Sequence, residues 1–423
     1  MKTIRLPRAL QDCSGVGTLS LDFHVPTRLT FGSGKLSESA PGVRRLGRRA
    51  MLVTSTRELQ PGAAGSILKA ACEGAGVEVT PFHRPSQTPT CDEVDAGAVT
   101  ARSCGADVVL GLGGGSAIDC AKAIAAVAPG STSAVSFLQQ RAQPDERTLP
   151  LIAISTTAGS GSEMNRSAII TDLKARYKGA LRSDYLFPRL AIVDPLLTHS
   201  LNRQVTAATG FDVLAHAVES FVSPKSQPIC DALALRAVNT VVRWLPEVLD
   251  NPRHAEGREQ MSLAATLMGI NLACVGTCLP HRVDKALCAL HPEISHGQAV
   301  ALFYEMWANL SWKGNVERFA MLANALDPEN VQVPSPERAA QFGSLAGDFI
   351  RRVGLSTSLV DFGVTEKEIP DLVARVEGDL RVNPVAVRIE ELPEFLRCLC
   401  HWGVILPTTR SPLTLNRRGG TAE

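Results

Sequence analysis

Along the first ~200 residues, short apolar runs alternate with Ala-rich stretches whose apolar positions recur every three or four residues. Arg49–Thr54, Val77–Phe82, Asp107–Leu112, Leu149–Ile154 and Leu190–Pro195 read as buried strands, and Leu59–Gly76, Asp92–Ser103 and Ser116–Val127 as the helices between them. Strand–helix alternation of this kind predicts a parallel sheet covered by helices on both faces. Beyond Leu197 the period changes. From Gln204 to Cys400 the apolar spacing is helical, with helices predicted over Thr206–Val222, Ile229–Leu249, Glu256–Leu272, Gln298–Leu310 and Val316–Leu326. The expected organisation is an N-terminal extension (1–20), a Rossmann-like α/β domain (21–200), an all-helical domain (201–409) and a frayed tail (410–423).

Composition narrows the class of protein. With 43 Lys+Arg against 42 Asp+Glu, the formal net charge of +1 gives no reason to expect nucleic acid or an anionic membrane as partner. No apolar stretch reaches the ~18–20 residues that a transmembrane helix needs. The eleven cysteines are scattered with no CxxC pair, so a reducing cytoplasm is the expected setting.

Four segments carry candidate chemistry. The run Gly111-Leu112-Gly113-Gly114-Gly115-Ser116, ending a strand and opening a helix, lets a ligand approach the backbone and meet a helix N-terminus, an arrangement suited to a pyrophosphate. A second loop, Ser155 to Glu163, again gathers glycines and hydroxyls at the C-terminal end of a strand. Lys178 could add charge there. Asp212 and His216, four residues apart in an apolar helix, share one helical face, where a carboxylate and an imidazole could hold a divalent cation or brace the core as a bonded pair. His281, His291 and His296 cluster in a chain of nine histidines, and two of them with Asp212 and His216 would suit Fe(II) or Zn(II). Spacing alone does not say which two.

In this order the motifs resemble the iron-dependent (group III) alcohol dehydrogenases. The resemblance rests on Gly113–Lys122 (GGGSxxDxxK), Thr156–Glu163 (TTAGxGSE), the Thr206–His216 helix, Phe31-Gly32-Ser33-Gly34, Val193-Asp194-Pro195 and the His296-Gly297 pair. It implies an α/β domain that binds NAD(P), a helical domain that binds the metal, and a site in the cleft between them. The implied metal ligands are Asp212, His216, His281 and His296. The implied cofactor contacts are Gly113, Gly114, Gly115 and Ser116 at the pyrophosphate, with Asp119, Thr156, Thr157, Ser160 and Lys178 lining the rest. The activity implied is hydride transfer between a nicotinamide and a small alcohol or aldehyde whose oxygen Fe(II) or Zn(II) polarises. The resemblance also implies a homodimer.

Two departures from the family pattern shape further expectations. Lys285 stands where relatives commonly carry a histidine near the nicotinamide, and it is the candidate proton relay. The interval from His281 to His296 is one residue longer than usual, which leaves His291 as a substitute third ligand. After the Arg49–Thr54 strand, relatives that prefer NAD often carry an acid, whereas this chain reads Ser55-Thr56-Arg57. With no carboxylate to repel a 2′-phosphate and Arg57 to pair with one, NADP(H) is expected to be accepted, with Ser55 at the ribose. Arg282 and Lys285 suggest a carboxylate- or phosphonate-bearing substrate. The alternatives are a maleylacetate-reductase-like enzyme and a dehydroquinate-synthase-like lyase.

Overall fold

The computed structural model describes residues 21–83 and 88–400. The expected extension and tail lie outside them. Among the described residues eight strands form: β1 (Arg28–Phe31), β2 (Arg49–Thr54), β3 (Glu78–His83), β4 (Val108–Gly113), β5 (Leu151–Ser155), β6 (Ser167–Asp172), β7 (Tyr177–Arg182) and β8 (Leu190–Val193). Six of them make one parallel sheet in the order β1-β8-β5-β4-β2-β3, while β6 and β7 pair as a separate antiparallel hairpin. Alternate residues of β2 serve two cores: Met51 and Val53 pack on one face of the sheet, Ala50 and Leu52 on the other. Burial on both faces explains why these strands read as continuous apolar runs.

The chain winds outward from β2 to β3, then returns to β4 on the other side of β2. The crevice beyond the carboxyl ends of β2 and β4 is therefore the topological switch point, where open α/β sheets bind ligands. Ser55 follows β2 there, and Gly113 ends β4.

Helices fill most of the rest, among them Arg203–Val222, Pro228–Asp250, Ala255–Cys274, Pro280–Leu290, His296–Ser311 and Val316–Leu326, packed round a large apolar core. Several elements depart from the sequence reading. The helix expected over Leu59–Gly76 begins only at Ala64, after a short 3-10 turn at Thr56–Leu59. The β6–β7 hairpin, which carries Lys178, was not anticipated, because polar residues interrupt its apolar ones. Pro280–Leu290 was missed for a similar reason, since it bears His281, Arg282, Asp284 and Lys285. No described helix is long and apolar enough to cross a membrane.

Two glycine contacts fix the helical half relative to the site. Gly161, in the second loop with φ +59°, lies so close to Gly269 that a Cβ on either would fall on the other's backbone. That contact docks the loop against the Ala255–Cys274 helix. A Cβ on Gly297 would likewise fall on the carbonyl of Ala208, so the His296–Ser311 helix starts hard against the Arg203–Val222 helix, one turn before Asp212.

Candidate metal centre

Asp212, His216, His281 and His296 converge, each with one donor atom within 4.8 Å of all the others. They come from three helices: Arg203–Val222 supplies the first two, Pro280–Leu290 the third, and the first residue of His296–Ser311 the fourth. Oδ1 of Asp212 lies 3.5 Å from His216 Nε2, 3.2 Å from His281 Nε2 and 3.4 Å from His296 Nε2. Ligand atoms placed tetrahedrally at ~2.0–2.1 Å around a metal stand about 3.3–3.4 Å apart, which these separations match. His291 is elsewhere, between Glu293 (3.1 Å) and Glu368 (2.9 Å).

Two carboxylates that sequence reasoning missed complete the arrangement. Glu219 Oε1 accepts the Nδ1–H of His281 at 2.7 Å, and Asp284 Oδ2 accepts that of His296 at 2.6 Å. Both acids have no solvent exposure. An ionised carboxylate only accepts, so each takes the Nδ1–H of its histidine and leaves Nε2 turned toward the Asp212 oxygen. Without a metal a proton on Nε2 bridges His281 to Asp212 at 3.2 Å, and a divalent cation would replace that proton and take the Nε2 lone pair. The donor set thus fits a divalent metal of the Fe(II) or Zn(II) kind. A signal for both acids was present in the sequence: Glu219 stands two helical turns after Asp212, and Asp284 one turn after His281.

The electrostatics follow from this crowding. Burial penalises the charge of Asp212, but His216, His296 and His281 outweigh it and hold the carboxyl well below its usual range. Burial also pushes His216 down to about 3. In His281 the burial penalty is overcome by Glu219 and Asp212, which raise the imidazole to about 9.

The nucleotide-facing candidates lie at the sheet's carboxyl edge. The helix after β4 runs Gly115–Val127, so Gly114 rather than Ser116 occupies its N-cap. Thr156 donates its backbone N–H to the carbonyl of Gly113 at 2.9 Å, which joins the two loops; Thr157 and Ser160 follow in the second. Asp119 faces inward: Oδ1 accepts the Ser162 hydroxyl, and Oδ2 accepts the Ile169 N–H at 2.9 Å. The adjoining Lys122 has no solvent exposure and donates to Ser162 (2.9 Å), Asn165 (3.1 Å) and the Ser167 carbonyl (2.8 Å). Asp119 and Lys122 therefore brace the second loop and the hairpin against the Gly115–Val127 helix. Ser55 and Arg57 are exposed beyond β2, and the Thr56 hydroxyl bonds the His83 ring at 2.8 Å.

Lys178, on β7, links the halves electrostatically. Burial works against its ammonium, but Cys288, Asp284, Asp119 and Asp212 outweigh it and raise its pKa. Lys285 goes the other way: burial lowers it to about 8, and Arg182, Arg282 and Lys178 add to the effect against Asp284.

Residues 26–195 match the family described as "Iron-containing alcohol dehydrogenase", and residues 206–397 match "Fe-containing alcohol dehydrogenase family, C-terminal". The chain is 30% identical over 365 residues to the choline dehydrogenase of Bacillus subtilis (strain 168), covering 86% of this chain and 89% of that one. Among solved structures, the archaeal halo-thermophilic Red Sea brine pool alcohol dehydrogenase ADH/D1 superposes with a TM-score of 0.86 at 29% identity, covering 90% of this chain and 99% of that one. A sulfoacetaldehyde reductase from Bifidobacterium kashiwanohense, solved with NAD+, gives 0.79 at 31% identity, with 90% and 99% covered. With both halves matched in order and a four-donor centre among the helices of the second, the chain belongs to the iron-containing alcohol dehydrogenase family of NAD-linked alcohol and aldehyde oxidoreductases.

Proposed function

We propose that this chain is a metal-dependent NAD(P)-linked alcohol dehydrogenase or aldehyde reductase, with the α/β half holding the dinucleotide and the helical half holding Fe(II) or Zn(II). The observation that carries this reading is the convergence of Asp212, His216, His281 and His296 on one point, with two of the imidazoles pinned by Glu219 and Asp284. A divalent cation held by those four residues supplies Lewis acidity at the substrate oxygen, and the nicotinamide supplies or accepts the hydride.

The chain's own groups do the rest. Glu219 and Asp284 keep the Nε2 lone pairs of His281 and His296 turned inward. The N-terminus of the Gly115–Val127 helix, with Gly113, Gly114, Ser116 and the Thr156–Ser160 loop, receives the pyrophosphate. Lys285, one helical turn beyond His281, is the group that gives and takes the proton at the substrate oxygen. Its lowered pKa places both protonation states within reach near neutrality. At the end of β2, Ser55 and Arg57 stand in place of an acid, which favours acceptance of NADP(H). The working unit in this reading is a cytoplasmic homodimer. Relatives are named for choline, a cation, and for sulfoacetaldehyde, an anion, so within this family the cleft decides the substrate's charge.

Metal analysis of anaerobically purified protein, followed by an alcohol and aldehyde panel with both cofactors, tests the reading. The expected result is stoichiometric divalent metal and a turnover of NAD(P)H that chelation abolishes and Fe(II) or Zn(II) restores. Full activity after chelation would favour the maleylacetate-reductase alternative, and product formation without net NAD(P)H change the lyase.

A further inference from the structure

A cleft of about 430 Å³ opens between the β6–β7 hairpin, the Pro280–Leu290 helix and the segment around Glu377 to Val382. Six cationic residues line it (Lys178, Arg182, Lys225, Arg282, Lys285 and Arg375) against two acids, Glu377 and Asp379. The acids are already engaged. Glu377 accepts the Tyr177 hydroxyl at 2.7 Å, and Asp379 pairs with Arg381 (2.8 Å) and Lys225 (3.7 Å). Arg375 has its own acid, Asp371, at 2.9 Å.

That leaves a cationic remainder. Among the described residues, Arg182 and Lys285 have no hydrogen-bond or ion-pair partner, and Arg282, only 8% exposed, donates Nε to the Asp379 carbonyl at 3.2 Å while its two terminal nitrogens have no acceptor. Arg282 is buried, Lys285 half-buried and Arg182 exposed, and like charges gathered in one cleft without a counter-ion cost free energy, which an anion would relieve. Arg182 stands at the end of β7 in one half, whereas Arg282 and Lys285 belong to the helix of His281 in the other. An anion between them would bridge the halves.

We propose that Arg182 and Arg282 form an anion subsite along the helix that carries His281, and that the substrate is a short-chain aldehyde or alcohol bearing a compact oxyanion: a carboxylate, sulfonate or phosphonate. This rests on the hydride-transfer reading above and adds the charge and size of the substrate. Arg282 adjoins His281, and Lys285 lies four residues on, about 6 Å along the helix axis at 1.5 Å per residue. Because the cleft and the metal centre share the Pro280–Leu290 helix, the link between oxyanion and reacting carbon is expected to be short. A guanidinium pair presents parallel donors to two oxygens of such a group. The pyrophosphate loop and the β2 end, where cofactor phosphates belong, are separate places in the fold.

The test compares succinic semialdehyde with its neutral methyl ester, using metal-loaded enzyme and saturating cofactor, in wild type, Arg182→Met, Arg282→Met and Arg182→Lys. The wild type is expected to favour the anion by about thirtyfold or more in kcat/KM. Each Met variant should lose about ten- to a hundredfold on the anion, chiefly through KM, with the ester and the cofactor KM changed less than about threefold and Arg182→Lys recovering part of the loss. Sulfonate and phosphonate analogues then identify the preferred head group. Equal rates on the two aldehydes in wild type, or Met variants that lose both alike or raise the cofactor KM instead, would overturn the subsite. If no aldehyde turns over with either cofactor, calorimetric titration of the same proteins with inorganic phosphate still decides. Binding lost in Arg182→Met keeps the subsite while the hydride-transfer reading fails, and absence of binding in wild type removes the subsite as well.

Discussion

Glu219→Gln isolates the contribution of one buried carboxylate to the metal centre. Glu219 receives two donors, the Nδ1–H of His281 on Oε1 (2.7 Å) and the backbone N–H of Cys278 on Oε2 (2.6 Å). Glutamine has nearly the same shape but only one acceptor atom. If its carbonyl keeps the Cys278 N–H, its NH₂ faces His281 Nδ1, which must then become the acceptor. The ring proton is thereby forced to Nε2, the atom aimed at Asp212. The centre keeps its residues but loses one properly oriented lone pair. Removing an outer carboxylate of this kind costs about ten- to a hundredfold in metal affinity, or about 1.4–2.8 kcal/mol. Competition against a chromophoric chelator under anaerobic conditions measures that loss directly, and thermal melts of the metal-free protein show whether the variant folds. A folded variant whose metal affinity stays within about threefold of wild type would refute the argument that Glu219 sets the His281 tautomer.

Four further outcomes are expected. Lys122→Met removes the donor to Ser162, Asn165 and the Ser167 carbonyl and leaves those acceptors unpartnered, which should cost about 1–3 kcal/mol, or roughly 2–12 °C in melting temperature; a shift under about 2 °C would contradict the bracing role. Burial lowers Lys122 from 10.5 to about 8 against the pull of Asp119 and Glu163, so the unfolded chain holds that proton more tightly. The penalty is full below pH 8 and is relieved as pH rises toward 10.5, a stability gain that urea titrations should find in wild type and not in Lys122→Met. Lys285→Met should slow aldehyde reduction by about ten- to a thousandfold and remove an inflection near pH 8, below which the protonated amine donates; an unchanged profile would make Lys285 a bystander to proton transfer. Arg57→Ala should raise the KM for NADPH about tenfold while leaving NADH nearly untouched, and equal effects on both would sink the 2′-phosphate pairing.

Much of this was legible where chemistry is local. The β2 limits, Arg49–Thr54, and the Val316–Leu326 helix follow from apolar period alone, and the Asp212–His216 spacing puts both groups on one helical face. What stayed hidden depends on distant packing. Residue spacing alone does not choose His281 over His291, because the choice depends on the Pro280–Leu290 helix bringing His281 against Glu219 and Asp212. The four-residue β1 is a strand because it pairs with β8, far along the chain. The β6–β7 hairpin and the Pro280–Leu290 helix carry four of the cationic groups of the cleft, so the residues proposed to meet the substrate are the ones that blur the apolar pattern.

All four donor residues and both outer acids belong to helices of one half, while the glycine loops and the edge beyond β2 belong to the other. On the proposed roles, loading of the ion and choice of coenzyme would be modular traits. Coenzyme specificity could then be redrawn at Ser55 and Arg57, by selection or at the bench, without disturbing the four-donor centre.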